Sequence, residues 1–139
     1  MKRREAREQA FILIFERSIN HYTTDEIIDA AETCSDIRID EFAERIASGA
    51  EKEEEQIDAL IQKSIRGWKM NRLSKVSLAL LRMAIYEILF EEDIPVSVSI
   101  NEAIDLAKKY GGADDAPFVN GVLGTVAKNA GEKSEPAVE

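Results

Sequence analysis

The sequence predicts an all-α fold, either one domain or two small bundles sharing an interface, with about six to seven helices in all. Three observations carry this reading. Apolar residues recur at spacings of three and four along almost the whole chain, which is the period of a helix with one buried face. Alternating apolar and polar runs are missing, so no strand is indicated. The prolines, at 95, 117 and 136, fall near helix boundaries or in the tail, where their missing N–H and fixed φ are tolerated.

The first helix runs from Arg3 to Asn20, with Ala6, Ala10, Leu13 and Ile14 inward and Phe11 and Phe15 beside them. Thr23 and Glu26 have the spacing of a capping box, so a second helix starts at Thr23 and runs to about Thr33. Asp36 to Ile39 reads as a loop. A third helix spans Asp40 to Arg66, its stripe formed by Phe42, Ile46, Ala50, Ile57, Leu60, Ile61 and Ile65. Ser48-Gly49 is the place where it would bend, and Gly67 ends it. From Val76 to Phe90 only Ser77, Arg82 and Glu87 are plainly polar. A helix apolar nearly all round must be covered on several sides, so Ser74 to Glu91 is the central post. A further helix follows Pro95 to Tyr110 and stops at Gly111-Gly112, and a last one spans Ala116 to Asn129. The domain plan is therefore an amino-terminal bundle over 1–66, a carboxy-terminal bundle over 67–130 and a disordered tail over 131–139.

Composition narrows the function. The single cysteine, Cys34, allows no disulfide within the chain, which suits a reducing, cytoplasmic setting. The charged start, Met1 to Arg7, lacks the apolar core of a secretory signal. The Val76 to Phe90 run is shorter than the ~20 residues of a membrane crossing. One histidine, His21, and one cysteine make neither a nucleophile–base pair nor a zinc set. They read as a surface histidine and a half-buried thiol. No phosphate-cradling glycine loop appears. Eight acids against two bases between Asp40 and Asp58 read as a solvated helix face. The expectation is a protein without catalysis, cofactor or metal.

A net charge of −9 excludes coating nucleic acid over the whole surface, so any such site is a local patch. Lys2, Arg3, Arg4 and Arg7 form the first patch. At 100° per residue Arg3, Arg7 and Arg4 fall within an arc of about 100°. Cations at a helix N-terminus oppose the dipole, so local stability does not account for them, whereas free backbone N–H groups there favour phosphate. The second patch is Lys63, Arg66, Lys69, Arg72 and Lys75, with no acid between Gln62 and Tyr86. Lys63 and Arg66 also offset the dipole of the helix they close.

Four motifs in order then resemble one family. Arg3-Arg4-Glu5-Ala6-Arg7 is similar to the RRxAR opening of the NusB family, and Leu80 to Glu87 to its buried central helix. Ile100 to Gly111 resembles INEAxELAKxFG, and Phe118-Val119-Asn120-Gly121-Val122-Leu123 reads FVNGVL. The resemblance covers roughly residues 3–127 and implies two helical bundles with a noncatalytic role. It implies binding of the boxA element of nascent ribosomal RNA together with NusE, a ribosomal small-subunit protein, within the antitermination complex of RNA polymerase. It also admits a homodimer, since some family members pair with themselves.

By that resemblance Lys2, Arg3, Arg4 and Arg7 contact RNA, with Phe118 and Asn120 near the same surface. Phe118, four residues from Val122, equally fits a core stripe, or it stacks on a base. Phe15 and Ser77 occupy positions facing NusE. Phe15 stands where the family often has tyrosine, Ser77 where an acid is common, and Pro117 where lysine often precedes FVNGVL. Two other readings remain at this level. One is a purely protein-binding helical module whose arginines grip an acidic partner. The other is a detached NusB-like domain of an RNA cytosine methyltransferase, although the chain stops before any cofactor-binding fold.

Overall fold

The computed structural model describes residues 1–65, 67 and 69–130. Among these it has seven α-helices, one 3-10 turn and no strand. In chain order they are α1 (Arg3–Asn20), α2 (Thr24–Cys34), α3 (Glu41–Lys52), α4 (Glu54–Ser64), the 3-10 turn (Met70–Arg72), α5 (Lys75–Phe90), α6 (Val96–Tyr110) and α7 (Asp115–Ala130). Arg66 and the tail over 131–139, both read from the sequence, lie outside the described residues.

Local chemistry sets several helix ends. The Glu5 carboxylate accepts the backbone N–H of Lys2 at 3.0 Å and so steadies the start of α1. His21 closes α1 with φ 64, its N–H donating to the Arg17 carbonyl at 2.9 Å. The expected capping box of α2 is present: Glu26 accepts from the Thr23 N–H at 2.8 Å, and Thr23 Oγ1 accepts from the Glu26 N–H at 3.1 Å. Asp40 caps α3 by accepting from Phe42 N–H, and Ser74 caps α5 by accepting from Ser77 N–H.

The third helix differs from the sequence reading. It breaks at Glu53, φ −101 and ψ 20, between α3 and α4, and not at Ser48-Gly49. Gly49 lies inside α3 because the tip of the Tyr86 ring fills the space of a side chain there; a Cβ would stand 2.3 Å from Tyr86 Cζ. Close approach, not bending, explains that glycine.

The core is one continuous apolar cluster drawn from all seven helices. Helix α5 touches α1, α3, α4, α6 and α7, and Leu80, Leu81, Met83 and Ile85 on it are fully buried. Helices α5, α6 and α7 pack on one another, while α1 packs on α2 and α3 and reaches across to α5. Among the described residues no helix is long and apolar enough to cross a membrane.

Cutting Leu80 to alanine leaves a cavity at the centre of this contact set. The expected loss is about 2–5 kcal/mol of unfolding free energy. Urea denaturation reads it as a lower midpoint with an unchanged slope. A midpoint equal to the wild type would contradict the central position of α5.

Candidate nucleic-acid interface

The four cations at the start of α1 separate into two environments. Arg7 lies on the same stripe as Phe11 and Ile14, and that stripe faces the core. Its side chain is 3% exposed. Nε donates to Glu87 Oε2 at 2.8 Å and an outer nitrogen donates to Oε1 at 3.1 Å, a two-pronged pair. Glu87, on α5, is itself 0% exposed and also accepts from Ser99 Oγ at 2.7 Å. The placement of Arg7 on the RNA-facing arc is therefore corrected. Its guanidinium is enclosed, because a buried carboxylate in the apolar α5 requires a charged partner.

With Arg7 turned inward, the helical period fixes its neighbours. Arg3 lies about 40° to one side and Arg4 about 60° to the other. Arg3 leans toward α3, its guanidinium 4.1 Å from the centroid of the Phe42 ring, a cation–π distance that leaves the edge of the fork facing solvent. Arg7 and Arg45 also approach that ring, at 5.2 and 5.4 Å. Arg4 leans toward α6, where Nε donates to Glu102 at 3.2 Å and an outer nitrogen bonds Asp105. Hydrogen bonding to Glu102, then the charges of Glu102 and Asp105, raise its pKa. Yet the Arg4 side chain is 64% exposed, so a polyanion can exchange for these carboxylates in screened, high-dielectric surroundings. Lys2 is exposed beside them.

Helix α6 links this tip to the start of α7. Lys108 borders a depression shared with Arg4, Glu102 and Asp105, and also a second cleft of about 630 Å³ lined by Ile104, Gly112, Pro117 and Asn120. Asn120 is exposed there, while Phe118 is half-buried against the core. The structure thus connects the tip of α1 to Asn120 through Lys108, a residue the sequence reading did not single out. Two further bonds fasten α1 to α6: Lys109 and Tyr110 both donate to Glu8. The Lys109 bond, then that of Tyr110, draws the Glu8 carboxyl below its ordinary value.

The two positions expected to face a protein partner also diverge. Phe15 is half-buried and rests against Phe11, with centroids 5.9 Å apart. Ser77 is 1% exposed and donates to Asp115 Oδ1 at 2.6 Å, so its hydroxyl is directed inward, a correction to the partner-facing placement. Ser74 Oγ donates to the same oxygen at 2.7 Å, and Gly112 N–H to the other at 2.7 Å. Burial pushes Asp115 upward, but the bonds from Ser77, Gly112 and Ser74 outweigh it and hold the carboxyl below its ordinary 3.8.

Other sequence expectations are modified. Cys34 is exposed, not half-buried, because α2 turns that end outward; His21 is exposed as well. The acids of the third helix are not merely solvated. Glu54 pairs with Arg17 and, at 3.6 Å, with Arg82; Asp58 holds Arg82 at 2.9 Å, and Glu51 accepts the Thr24 N–H at 2.9 Å. They fasten α3 and α4 to α1, α2 and α5. Among the described residues no group of three or more His, Cys, Asp or Glu is placed to hold a metal ion.

Comparison with known proteins adds a family. Residues 4–128 match the model of the NusB family. The transcription antitermination protein NusB of Clostridium novyi (strain NT) is 44% identical over 132 residues, covering 92% of this chain and 99% of that protein. The solved structure of T. maritima NusB superposes with a TM-score of 0.81 at 36% identity, covering 92% of each chain. A chain from the crystal structure of antitermination factors NusB and NusE in complex with dsRNA superposes at 0.80 with 26% identity, covering 93% of this chain and 99% of that one.

Two outcomes test the geometry. Glu87→Ala strands a buried guanidinium and is expected to lower stability by about 3–5 kcal/mol, whereas the double variant Arg7→Met/Glu87→Met recovers most of the loss. Equal destabilisation of both variants in urea would contradict the pairing. A depressed carboxyl stabilises the fold above its unfolded pKa, and that contribution disappears as pH falls through the folded value. Acid unfolding of the wild type should therefore include a component below about pH 4 that Asp115→Asn removes. An unaltered acid limb in that variant would count against the role given to Asp115.

Proposed function

The chain belongs to the NusB family, and from that membership we propose that it is an RNA-binding transcription antitermination factor. Its target is the boxA element of nascent ribosomal RNA, bound together with NusE in the antitermination complex of RNA polymerase. The observation that carries the reading is the pair of exposed guanidiniums, Arg3 on Phe42 and Arg4 over α6, at the amino-terminal tip of α1. Arg3 is held by its face on Phe42 and Arg4 by its N–H bonds to Glu102 and Asp105, so each guanidinium is oriented before a phosphate arrives. Lys2 adds charge at the same tip, and Lys108 and Asn120 extend the surface toward α7. Within this proposal Asn120 offers an amide to a base edge and Phe118 positions the turn that carries it.

Arg7 serves this surface indirectly. Its pair with Glu87 sets the rotation of α1 and with it the directions of Arg3 and Arg4. The protein-facing side is read through Phe15, whose exposed edge is available to NusE, and Ser77 contributes only through Asp115. The family's solved relative with NusE and double-stranded RNA supports the pairing of partners. The role is one of binding, without catalysis, and its setting is the cytoplasm, where transcripts are made. Helices α1–α4 and α5–α7 are taken as the two bundles over 1–66 and 67–130, meeting near Gly67, where φ is 76.

The test is titration of the protein with boxA RNA, with and without NusE, at two salt concentrations. Arg3→Glu and Arg4→Glu are each expected to weaken binding about tenfold and to flatten the salt dependence, because phosphate contacts release counterions. The helical circular dichroism of both should be retained. Arg7→Glu, in contrast, places a second carboxylate against Glu87 and should lose folded helix outright. RNA affinity unchanged in both tip variants would sink the proposal.

A further inference from the structure

Among the described residues four arginines bond carboxylate through Nε and one outer nitrogen, and Arg4 does so differently from the rest. Arg7, Arg45 and Arg82 each meet both oxygens of a single partner, Glu87, Glu91 and Asp58 respectively. Arg4 divides the same edge between two residues: Nε donates to Glu102 Oε1 at 3.2 Å, and the outer nitrogen bonds Asp105. One guanidinium thus faces two negative charges, each through a single bond. A two-pronged pair releases its partner only when both bonds break, whereas bonds to separate partners open one at a time. Exposure differs as well. The Arg4 side chain is 64% exposed and that of Asp105 49%, against 3% for Arg7.

Local stability does not call for this arrangement. Glu102 and Asp105 stand three residues apart on α6, where like charges are neighbours and repel. Fastening α1 to α6 does not call for it either. Glu8 on α1 already accepts from Lys109 and Tyr110, and Arg7 and Ser99 tie both helices to Glu87. What the two acids do is fill, with one oxygen each, an edge by which a guanidinium grips phosphate. They line the same depression as Arg4, Lys108 and Lys109.

We infer that Glu102 and Asp105 are specificity-determining residues: they occupy Arg4 as an internal stand-in for phosphate, which an RNA held by neighbouring cations displaces and a lone phosphate does not. This rests on the RNA-binding reading above and deepens it. A ligand that needs Arg4 free is weakened in proportion to the fraction of molecules in which the fork is free. An isolated phosphate bears that loss in full. An RNA already bound at Lys2 and Arg3 presents its next phosphate to Arg4 at a high effective concentration, and the two carboxylates then give way one bond at a time. The acids thereby widen the difference between a chain of phosphates and a single one.

The experiment measures affinity for boxA RNA at two salt concentrations, and for inorganic phosphate through the NMR shift of the Arg4 Nε–H. The proteins are the full chain, Glu102→Gln/Asp105→Asn, Arg4→Gln, and the triple variant that combines all three substitutions. A charge-matched control, Asp29→Asn/Glu55→Gln, neutralises exposed acids on α2 and α4. Circular dichroism checks that each is folded. The double variant is expected to bind boxA RNA about fivefold more tightly and phosphate roughly tenfold more tightly. The control should gain at most about twofold on either ligand. On the Arg4→Gln background the two neutralisations should gain no more than the control, because the contact they relieve is gone. If the double variant is unfolded, Asp105→Asn alone carries the test, with about a threefold gain on RNA against little for Asp29→Asn.

Weaker RNA binding by the double variant overturns the inference and leaves the carboxylates only as supports that orient Arg4. Gains no larger than those of the control, or equal gains with and without Arg4, also overturn it, as an effect of overall charge. So does a phosphate response that is the same in the wild type and the double variant. In each of these cases a loss of RNA affinity in Arg4→Gln keeps the main reading standing. Absence of salt-dependent RNA binding by the wild type removes both readings together.

Discussion

The fold turns on a single buried ion pair. Glu87 is enclosed within the most apolar helix of the molecule, and a carboxylate there is tolerable only with its charge matched and its lone pairs satisfied. Arg7 and Ser99 supply both, from α1 and α6. Three helices are thereby tied at one point, and α1 is given one rotation about its axis. A two-pronged arginine–carboxylate pair has a narrow geometry, so it specifies register in a way that the surrounding alanines and leucines do not.

That rotation determines the surface. Once Arg7 points inward, Arg4 and Arg3 must diverge to either side, one over α6 and the other over Phe42. The tip presents two guanidiniums with different restraints. Arg3 is steadied by an aromatic face and keeps its hydrogen-bonding edge; Arg4 is bonded to Glu102 and Asp105 in the open. Under the RNA-binding proposal, a phosphate would meet no ion-paired carboxylate at the first and would have to exchange with two at the second. The acidic body also tunes binding, since it repels polyanions wherever cations do not intervene. The same acids hold the protein together: Glu54 and Asp58 hold Arg82, Glu91 holds Arg45, and Glu8 holds Lys109. The negative balance is thus partly structural.

The helices were legible because their signals are local. A 3.6-residue period, a capping box at Thr23 and Glu26, glycines after Tyr110 and the apolar run in α5 each involve residues within a few positions of one another. Where the local signal is ambiguous, spacing alone misplaces a feature. Gly49 has the look of a bend, and only the arrival of Tyr86, remote in sequence, shows it to be a point of close contact. The split at Glu53 follows from how α3 and α4 are pulled toward different partners, Thr24 through Glu51 and Arg17 and Arg82 through Glu54.

The sequence by itself settled the all-helical class, the central place of α5, the position of a basic tip on an acidic body and, through motifs in register, the family. All of these depend on spacing along the chain. Tertiary structure alone decided which members of the basic tip are open to a ligand. Arg3, Arg4 and Arg7 share one arc of an isolated helix, and nothing in their spacing separates the enclosed residue from the exposed pair. Glu87 does so from a distant helix, because the cost of leaving a buried charge unmatched exceeds any preference that residues near Arg7 can express.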